Sequence, residues 1–341
     1  MAWRRFSVAF LALVLVCGGA TLVFGRLPAA ARCRPSSVPD TFLAECRGIG
    51  DYEHAAFALG LEPAAVAALG RAQVVVLGNS RAQFAFSTEA AARRFAEAGI
   101  PFYRAGFGYA EGSAFALTAL AHAGSRPRAL IVNADPFFTD RLSQPATRLR
   151  DAPAQAYVAA LRTKLALEIR AALCGRWESR LLCRGSRTAL HRVRSDGAWA
   201  WQESLRPAGP ATQIDAEPGA PIAEPGPGTA ARALAFLAAL GVEPGCLFLT
   251  AVPNSQDSAD GAAARLAAEI GARLVLPRVA GLGTIDGSHL DGPSAERWSA
   301  AFLDAAEPGL RACLSVPAAA RSGPEPAQTP SAAAERRSAP H

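Results

Sequence analysis

The chain has 341 residues, half of them hydrophobic, enough for one large domain or two small ones around a sizeable core. The formal net charge is +6, but the arginines are scattered and no basic run is interleaved with aromatic residues, which argues against a nucleic-acid-binding footprint. No CxxC pair or Cys/His cluster is present, so the sequence offers no structural metal centre and no cofactor is expected.

Arg4 and Arg5 precede an uncharged apolar run from Phe6 to Phe24, long enough to cross a bilayer as a helix. A short basic start also fits a secretory signal, but the run is long for an h-region and the small-residue cleavage candidate, Pro28-Ala-Ala-Ala31, lies beyond it. Residues 1–25 therefore read as an uncleaved single-pass anchor, with a cleaved signal as the alternative. Arg26, Arg32 and Arg34 follow the span and weaken the positive-inside argument for orientation. Cys17 sits inside the apolar run. The even set outside it, Cys33, Cys46, Cys174, Cys183, Cys246 and Cys313, suits an oxidising compartment and puts the rest of the chain on the periplasmic side of an inner membrane, or outside the cell if the signal is cleaved. Closeness along the chain suggests the pairs Cys33–Cys46 and Cys174–Cys183, leaving Cys246–Cys313.

Residues 26–50 read as an irregular stalk and 51–70 as helical. Gln73-Val-Val-Val-Leu-Gly78 is a β-branched apolar run ending in glycine, a strand followed by a turn. Ser87 or Thr88 can cap the next helix, which carries Glu89 early and ends at Gly99. Ile100-Pro-Phe-Tyr103 predicts a short strand, Gly106-Phe-Gly108 a flexible turn, Ser113 to Gly124 a helix, and Arg128-Ala-Leu-Ile-Val132 another strand. This alternation implies βαβ crossovers and a parallel sheet, an α/β domain over residues 51–313. Residues 140–228 break the rhythm with a helical stretch from about Gln155 to Ala172, then Trp199 and Trp201, then a Pro/Gly-dense segment over 207–228. They read as an inserted cap ending in a long loop, with the tryptophans as packing residues and stacking on sugar rings as the alternative. The alternation resumes with a helix over Thr229–Leu240, a strand over Cys246–Val252, a helix over Gly261–Ile270, the strand Ala272-Arg-Leu-Val-Leu276 and a last helix from Pro293 to about Ala306. Residues 314–341 have the composition of a disordered tail.

Two motifs carry chemistry. In Gly78-Asn79-Ser80-Arg81 a serine follows a strand at the turn into a helix, which places it at the C-terminal edge of a parallel sheet, where ligands of open α/β sheets bind. A hydroxyl needs a neighbouring base to become a nucleophile. Asp286-Gly-Ser-His289, just before the last helix, supplies a histidine with a carboxylate three residues upstream that can fix its tautomer. Ser80 is the candidate nucleophile, His289 the base and Asp286 the acid. His54, His122, His191 and His341 are assigned structural or surface roles.

Together these motifs resemble the SGNH (GDSL-like) hydrolase superfamily, whose nucleophile lies in a Gly-Asp-Ser block after the first strand and whose acid and base lie in an Asp-x-x-His block before the last helix. The resemblance covers about residues 70–140 and 228–306, with Asn79 where the family has Asp. It implies a three-layer, flavodoxin-like parallel sheet, and an oxyanion hole to which Gly106 or Gly108 and an Asn contribute. The family's Gly-x-Asn-Asp block is here Val132-Asn133-Ala134-Asp135-Pro136, which makes Asn133 the candidate donor and leaves Asp135 to bind substrate or structure the turn. Gly78-Asn-Ser-Arg-Ala82 also nearly matches GxSxG, but α/β-hydrolases draw acid and base from well-separated loops. By fold-level analogy, the anchored form is similar to alginate O-acetyltransferases and the D-alanine transfer protein of teichoic acid modification. That similarity implies an esterase or O-acyltransferase acting on a cell-envelope polysaccharide, with the insertion as acceptor site and a membrane acyl-donor protein as partner. The alternative is a non-catalytic carbohydrate-binding or envelope-assembly protein on the same scaffold.

Overall fold

The structure, a computed structural model, describes residues 7, 10–15, 18, 25–177, 183–200, 212–214, 220, 221 and 226–315. Most of the expected anchor, Cys17, Trp201, most of the 207–228 loop and the tail from residue 316 lie outside these residues. No helix among the described residues is long and apolar enough to cross a membrane.

The segment expected to be a stalk is structured. Helix α1 (Leu27–Arg32) leads into strand β1 (Thr41–Cys46), which pairs antiparallel with β2 (Gly50–Asp51). The helix predicted over 51–70 divides into α2 (Glu53–Ala58) and α3 (Pro63–Arg71), because Gly60 takes a left-handed φ of 66° and Pro63 starts a new first turn. Next come β3 (Val74–Gly78), α4 (Ser80–Phe86), α5 (Glu89–Glu97), β4 (Phe102–Gly106), α6 (Ser113–His122) and β5 (Ala129–Asn133), close to the predicted order. Asn79 and Thr88 cap α4 and α5 by accepting the N–H groups of Arg81 and Ala91. The insertion holds α7 (Gln144–Asp151), α8 (Pro153–Trp177), β6 (Ala189–Val193), β7 (Trp199–Ala200), β8 (Thr212–Gln213) and β9 (Ala220–Pro221). The chain closes with α9 (Thr229–Leu240), β10 (Leu247–Thr250), β11 (Asp257–Ser258), α10 (Asp260–Ile270), β12 (Arg273–Leu274), β13 (Gly283–Thr284) and α11 (Gly292–Ser315). Helix α11 runs past Pro308 instead of ending near Ala306, since Leu310 and Cys313 beyond it are buried.

Strands β12, β10, β5, β3 and β4 lie side by side in that order, all parallel. Every residue of β3 is buried, which is why it reads as an unbroken apolar run. Val75 and Leu77 face a layer built on Phe57, Leu69, Leu120 and Phe236, while Val74 and Val76 face one built on Phe86, Phe95, Trp298 and Phe302. The protein is thus α/β, a five-stranded parallel sheet between two helical layers, with a strand order compatible with a flavodoxin-like sheet. From β3 the chain steps outward to β4 and then crosses back to β5. The order reverses at β3, the place where such sheets open a crevice at their C-terminal edge.

The insertion is joined to the N-terminal segment by strand pairing. Strand β6 pairs with β1 to make a second, antiparallel sheet in the order β2-β1-β6-β7. Arg192 of β6, fully buried, reaches from this sheet to the end of β4. It pairs with Glu53 of α2 at 2.8 Å and donates to the carbonyl oxygens of Arg104 (2.7 Å), Gly197 (3.1 Å) and Gly106. Its guanidinium also lies against the rings of Phe57, Phe107 and Trp199. Gln83 of α4 makes a second link, donating to Gly197 O at 2.6 Å while accepting the Gly106 N–H at 3.0 Å. Cys33–Cys46, Cys174–Cys183 and Cys246–Cys313 are all disulfide-bonded, the pairing read from the sequence and chemistry suited to an oxidising compartment.

Burial pushes the Glu53 carboxyl up while Arg192 opposes the shift. Removing the carboxylate leaves a buried guanidinium without its counter-charge. Glu53→Ala is therefore expected to destabilise the protein by about 3–5 kcal/mol in urea unfolding at pH 8 with disulfides intact. A loss below about 1 kcal/mol would show that the pair does not hold the second sheet in place.

Candidate active site

Gly78 ends β3 with φ 143°, and a Cβ there would lie 2.8 Å from Ala82 Cβ and 3.1 Å from Asn133 Cβ. Glycine is needed on both counts, conformation and space. The turn delivers Ser80 to the first turn of α4. Asn79 uses both ends of its amide: Oδ1 accepts the Arg81 N–H at 3.0 Å and Nδ2 donates to Asp135 Oδ2 at 3.2 Å.

The Asp286–His289 loop follows β13 and is closed on itself. Asp286 Oδ1 accepts the N–H groups of Ser288 and His289, each at 2.9 Å, and Ile285 N–H donates to His289 O at 2.9 Å. Gly287, at φ 82°, turns its carbonyl to Ser255, which donates to it from both its N–H and its hydroxyl. Asp286 Oδ2 lies 2.7 Å from His289 Nδ1, and His289 Nε2 lies 2.8 Å from Ser80 Oγ. Partial burial alone would raise the Asp286 carboxyl. The hydrogen bonds from the His289 ring and from the N–H groups of His289 and Ser288 outweigh it and hold the group below the usual carboxylate range. The His289 ring packs edge-on to Phe84, which packs in turn on Trp199 of the insertion. Trp199 is buried, as expected of a packing residue. Ser80 meets Asp286 and His289, the pair expected from sequence and 209 positions away at His289, in the order serine, imidazole, carboxylate, the geometry in which a base can take a hydroxyl proton and have its charge balanced.

The neighbouring donors divide differently. Asn133 is buried, with Oδ1 accepting the Val252 N–H at 3.0 Å and Nδ2 directed to Asp135 Oδ2 at 3.4 Å. The Gly106 N–H is engaged by Gln83. Among the described residues no acceptor meets the backbone N–H of Gly108 or of Ser80. Asp135 structures the turn, its Oδ2 receiving Asn79, Arg81 and Asn133. Arg81 joins these loops with donors to Ser288, Asp135 and Asp257, a role no sequence motif signalled.

The chain holds a second Asp-x-x-His run, Asp51-Tyr-Glu-His54, to which sequence reasoning gives no site role. Asp51 binds the His54 N–H (3.3 Å) and Nδ1 (2.8 Å), the same pair of contacts as at Asp286. Here, however, Nε2 faces Glu111 Oε2 at 3.1 Å, and Ser143 Oγ, 3.5 Å from Nε2, donates to that same carboxylate. Burial alone would lower the imidazole; the bonds to Asp51 and Glu111 outweigh it and raise it to about 9. A histidine protonated at neutral pH cannot serve as a base, so this is an ion-pair node. Asp51, Glu53 and His54 bring ligand atoms within 4.8 Å of one another, but Glu53 is engaged by Arg192 and His54 by Asp51 and Glu111. His191 is buried, and that burial, with Arg170 nearby, pushes it down to about 4.

Compared with known proteins, the chain matches no family model, no curated protein and no solved structure.

The raised pKa of His54 makes its contribution to stability fully present below about pH 6.5 and lost as the pH rises through about 9. The stability difference between the wild type and His54→Gln should therefore shrink by as much as about 3 kcal/mol between pH 6 and pH 10 in denaturant titrations. A difference independent of pH would mean that His54 is buried neutral.

Proposed function

We propose that this protein is a serine-dependent esterase or O-acyltransferase of the SGNH type. The observation that carries the reading is the unbroken contact from Asp286 through His289 to Ser80, at 2.7 and 2.8 Å, at the C-terminal edge of the first strand of the parallel sheet. Ser80 Oγ attacks an ester carbonyl as His289 Nε2 takes its proton, and Asp286 balances the imidazolium. The N–H groups of Ser80 and Gly108 stabilise the oxyanion. His289 then returns the proton to the leaving alcohol, and water or a second hydroxyl resolves the acyl-enzyme. A non-catalytic scaffold would require no convergence of Ser80 with His289, so the contact favours catalysis.

The substrate class in this reading is the acyl ester of a cell-envelope polysaccharide, with a membrane acyl-donor protein as partner and an N-terminal anchor holding the domain on the periplasmic side. The three disulfides support such a compartment. Tyr109, directly after Gly108, supports a saccharide. The residue is 46% exposed, its backbone and that of Ala110 are held at φ 60° and 52°, and its hydroxyl donates to Glu45 at 2.8 Å. A strained, tethered and partly exposed aromatic residue suits stacking on a sugar ring.

A fluorophosphonate probe should label the full-length wild type, while Ser80→Ala abolishes labelling and His289→Ala and Asp286→Asn slow it by at least about 10³-fold. A folded, disulfide-intact wild type that is not labelled would overturn the reading. Tyr109→Ala is expected to raise KM for an O-acetylated polysaccharide about five- to tenfold, leaving kcat/KM for a small aryl acetate within about twofold. Equal losses on both substrates would remove Tyr109 from the saccharide site.

A further inference from the structure

Arg81 follows the nucleophile in the chain and bonds to three segments at this edge of the sheet. Nε donates to Ser288 Oγ at 2.9 Å, inside the loop that carries Asp286 and His289. Nη1 donates to Asp135 Oδ2 at 2.9 Å, beyond β5, and to Asp257 Oδ1 at 2.8 Å, beyond β10. Nη2 donates to Asp257 Oδ2 at 3.2 Å, completing a two-pronged contact that a planar guanidinium can make and an ammonium cannot. Asp257 is held in turn by Asn254 Nδ2 at 2.9 Å, and Asn254 Oδ1 accepts the N–H groups of Gln256 and Asp257. The Arg81 side chain is 11% exposed, so these bonds are sheltered from water.

The loop it meets has little else to hold it against α4. β13 is two residues long, and the Asp286 side chain is half exposed. Among the described residues the hydrogen bonds and ring contacts between the loop and α4 are the Ser80–His289 contact itself, the packing of Phe84 on His289, and the Arg81–Ser288 bond. The first of these is the contact that must be maintained. The second fixes the plane of the ring but not its distance from Ser80. The third ties the loop directly to the helix, with the guanidinium locked by two carboxylates on the segments that follow β5 and β10.

We propose that Arg81 is a positioning residue: anchored by Asp135 and Asp257, it holds the Asp286–His289 loop at bonding distance from Ser80 through Ser288. The proposal rests on Ser80 being the nucleophile. Displacing a catalytic group by about 1 Å can cost about a hundredfold in rate.

The test is the kinetics of phosphonylation by a fluorophosphonate over a range of probe concentrations, on the full-length protein, with thermal unfolding measured in parallel. Ser288→Ala removes one partly exposed hydroxyl and is expected to lower the maximal labelling rate about tenfold, with the half-saturating probe concentration and the unfolding midpoint unchanged. Arg81→Met is expected to lower the rate about a hundredfold. Arg81→Lys should recover part of that loss, because it restores the charge but not the fork. Wild-type labelling rates in Ser288→Ala and Arg81→Lys would overturn the proposal, as would losses that follow the unfolding midpoint and vanish on cooling. An unlabelled wild type would instead remove the nucleophile on which it rests.

Discussion

The turn from β3 into α4 has no room for a side chain at Gly78. A Cβ there would meet Ala82 from one side and Asn133 from the other, and the backbone is in a region that other residues rarely adopt. Because Gly78 carries none, α4 packs down against the ends of β3 and β5, and Ser80 emerges at its first turn instead of being lifted off the sheet. The rest of the site depends on that approach. Asn79 can reach Asp135 only from there, and Arg81 can reach across to Asp257 and Ser288. The same closeness accounts for asparagine at position 79. An aspartate would set a second carboxylate 3.2 Å from Asp135, whereas the amide caps α4 with its oxygen and feeds Asp135 with its nitrogen.

Three carboxylates, Asp135, Asp257 and Asp286, crowd this edge, and each is matched. Arg81 answers the first two, and His289 with two backbone N–H groups answers the third. Asp286 is free of Arg81, which suits the proposed mechanism, because a carboxylate already neutralised by a guanidinium would do less to balance an imidazolium. The second sheet supports the same region from behind. Arg192 holds the carbonyls at the end of β4, beside the Gly108 turn, and Trp199 backs the ring on which His289 rests. The insertion thus contributes buttressing at both the proposed base and the strand that leads to the candidate oxyanion donors.

The βα core was legible for a simple reason. Strands buried on both faces read as unbroken apolar runs, and β3, β5 and β10 carry Val74–Leu77, Leu130–Val132 and Leu247–Leu249. Helix α9 shows at both ends, with Gly241 at its C-terminus in the left-handed conformation. What did not show is non-local. Strand β1 is stable because β6, about 150 residues later, pairs with it, and no pattern within residues 26–50 announces that partner. Residues 51–70 carry alanine throughout, and only the conformation at Gly60 and the restart at Pro63 reveal two helices. The donors expected of Asn133 and Gly106 meet intramolecular acceptors, Asp135 for Asn133 and Gln83 for Gly106, whose positions depend on packing.

The two Asp-x-x-His runs mark the boundary between sequence and structure most clearly. Local chain geometry is determined by the sequence alone: in both, the aspartate bends back to its own histidine's N–H and Nδ1, because three residues is the span of that turn. Likewise the glycine before Ser80 and the strand before it follow from residue type and pattern. What faces the remaining ring nitrogen is not local. At His54 the fold brings the buried carboxylate of Glu111, and the imidazole is held protonated. At His289 it brings the hydroxyl of Ser80, 209 residues away in the chain. The partner of Nε2 is set by which elements the sheet and its helical layers press together, and that decision belongs to tertiary packing.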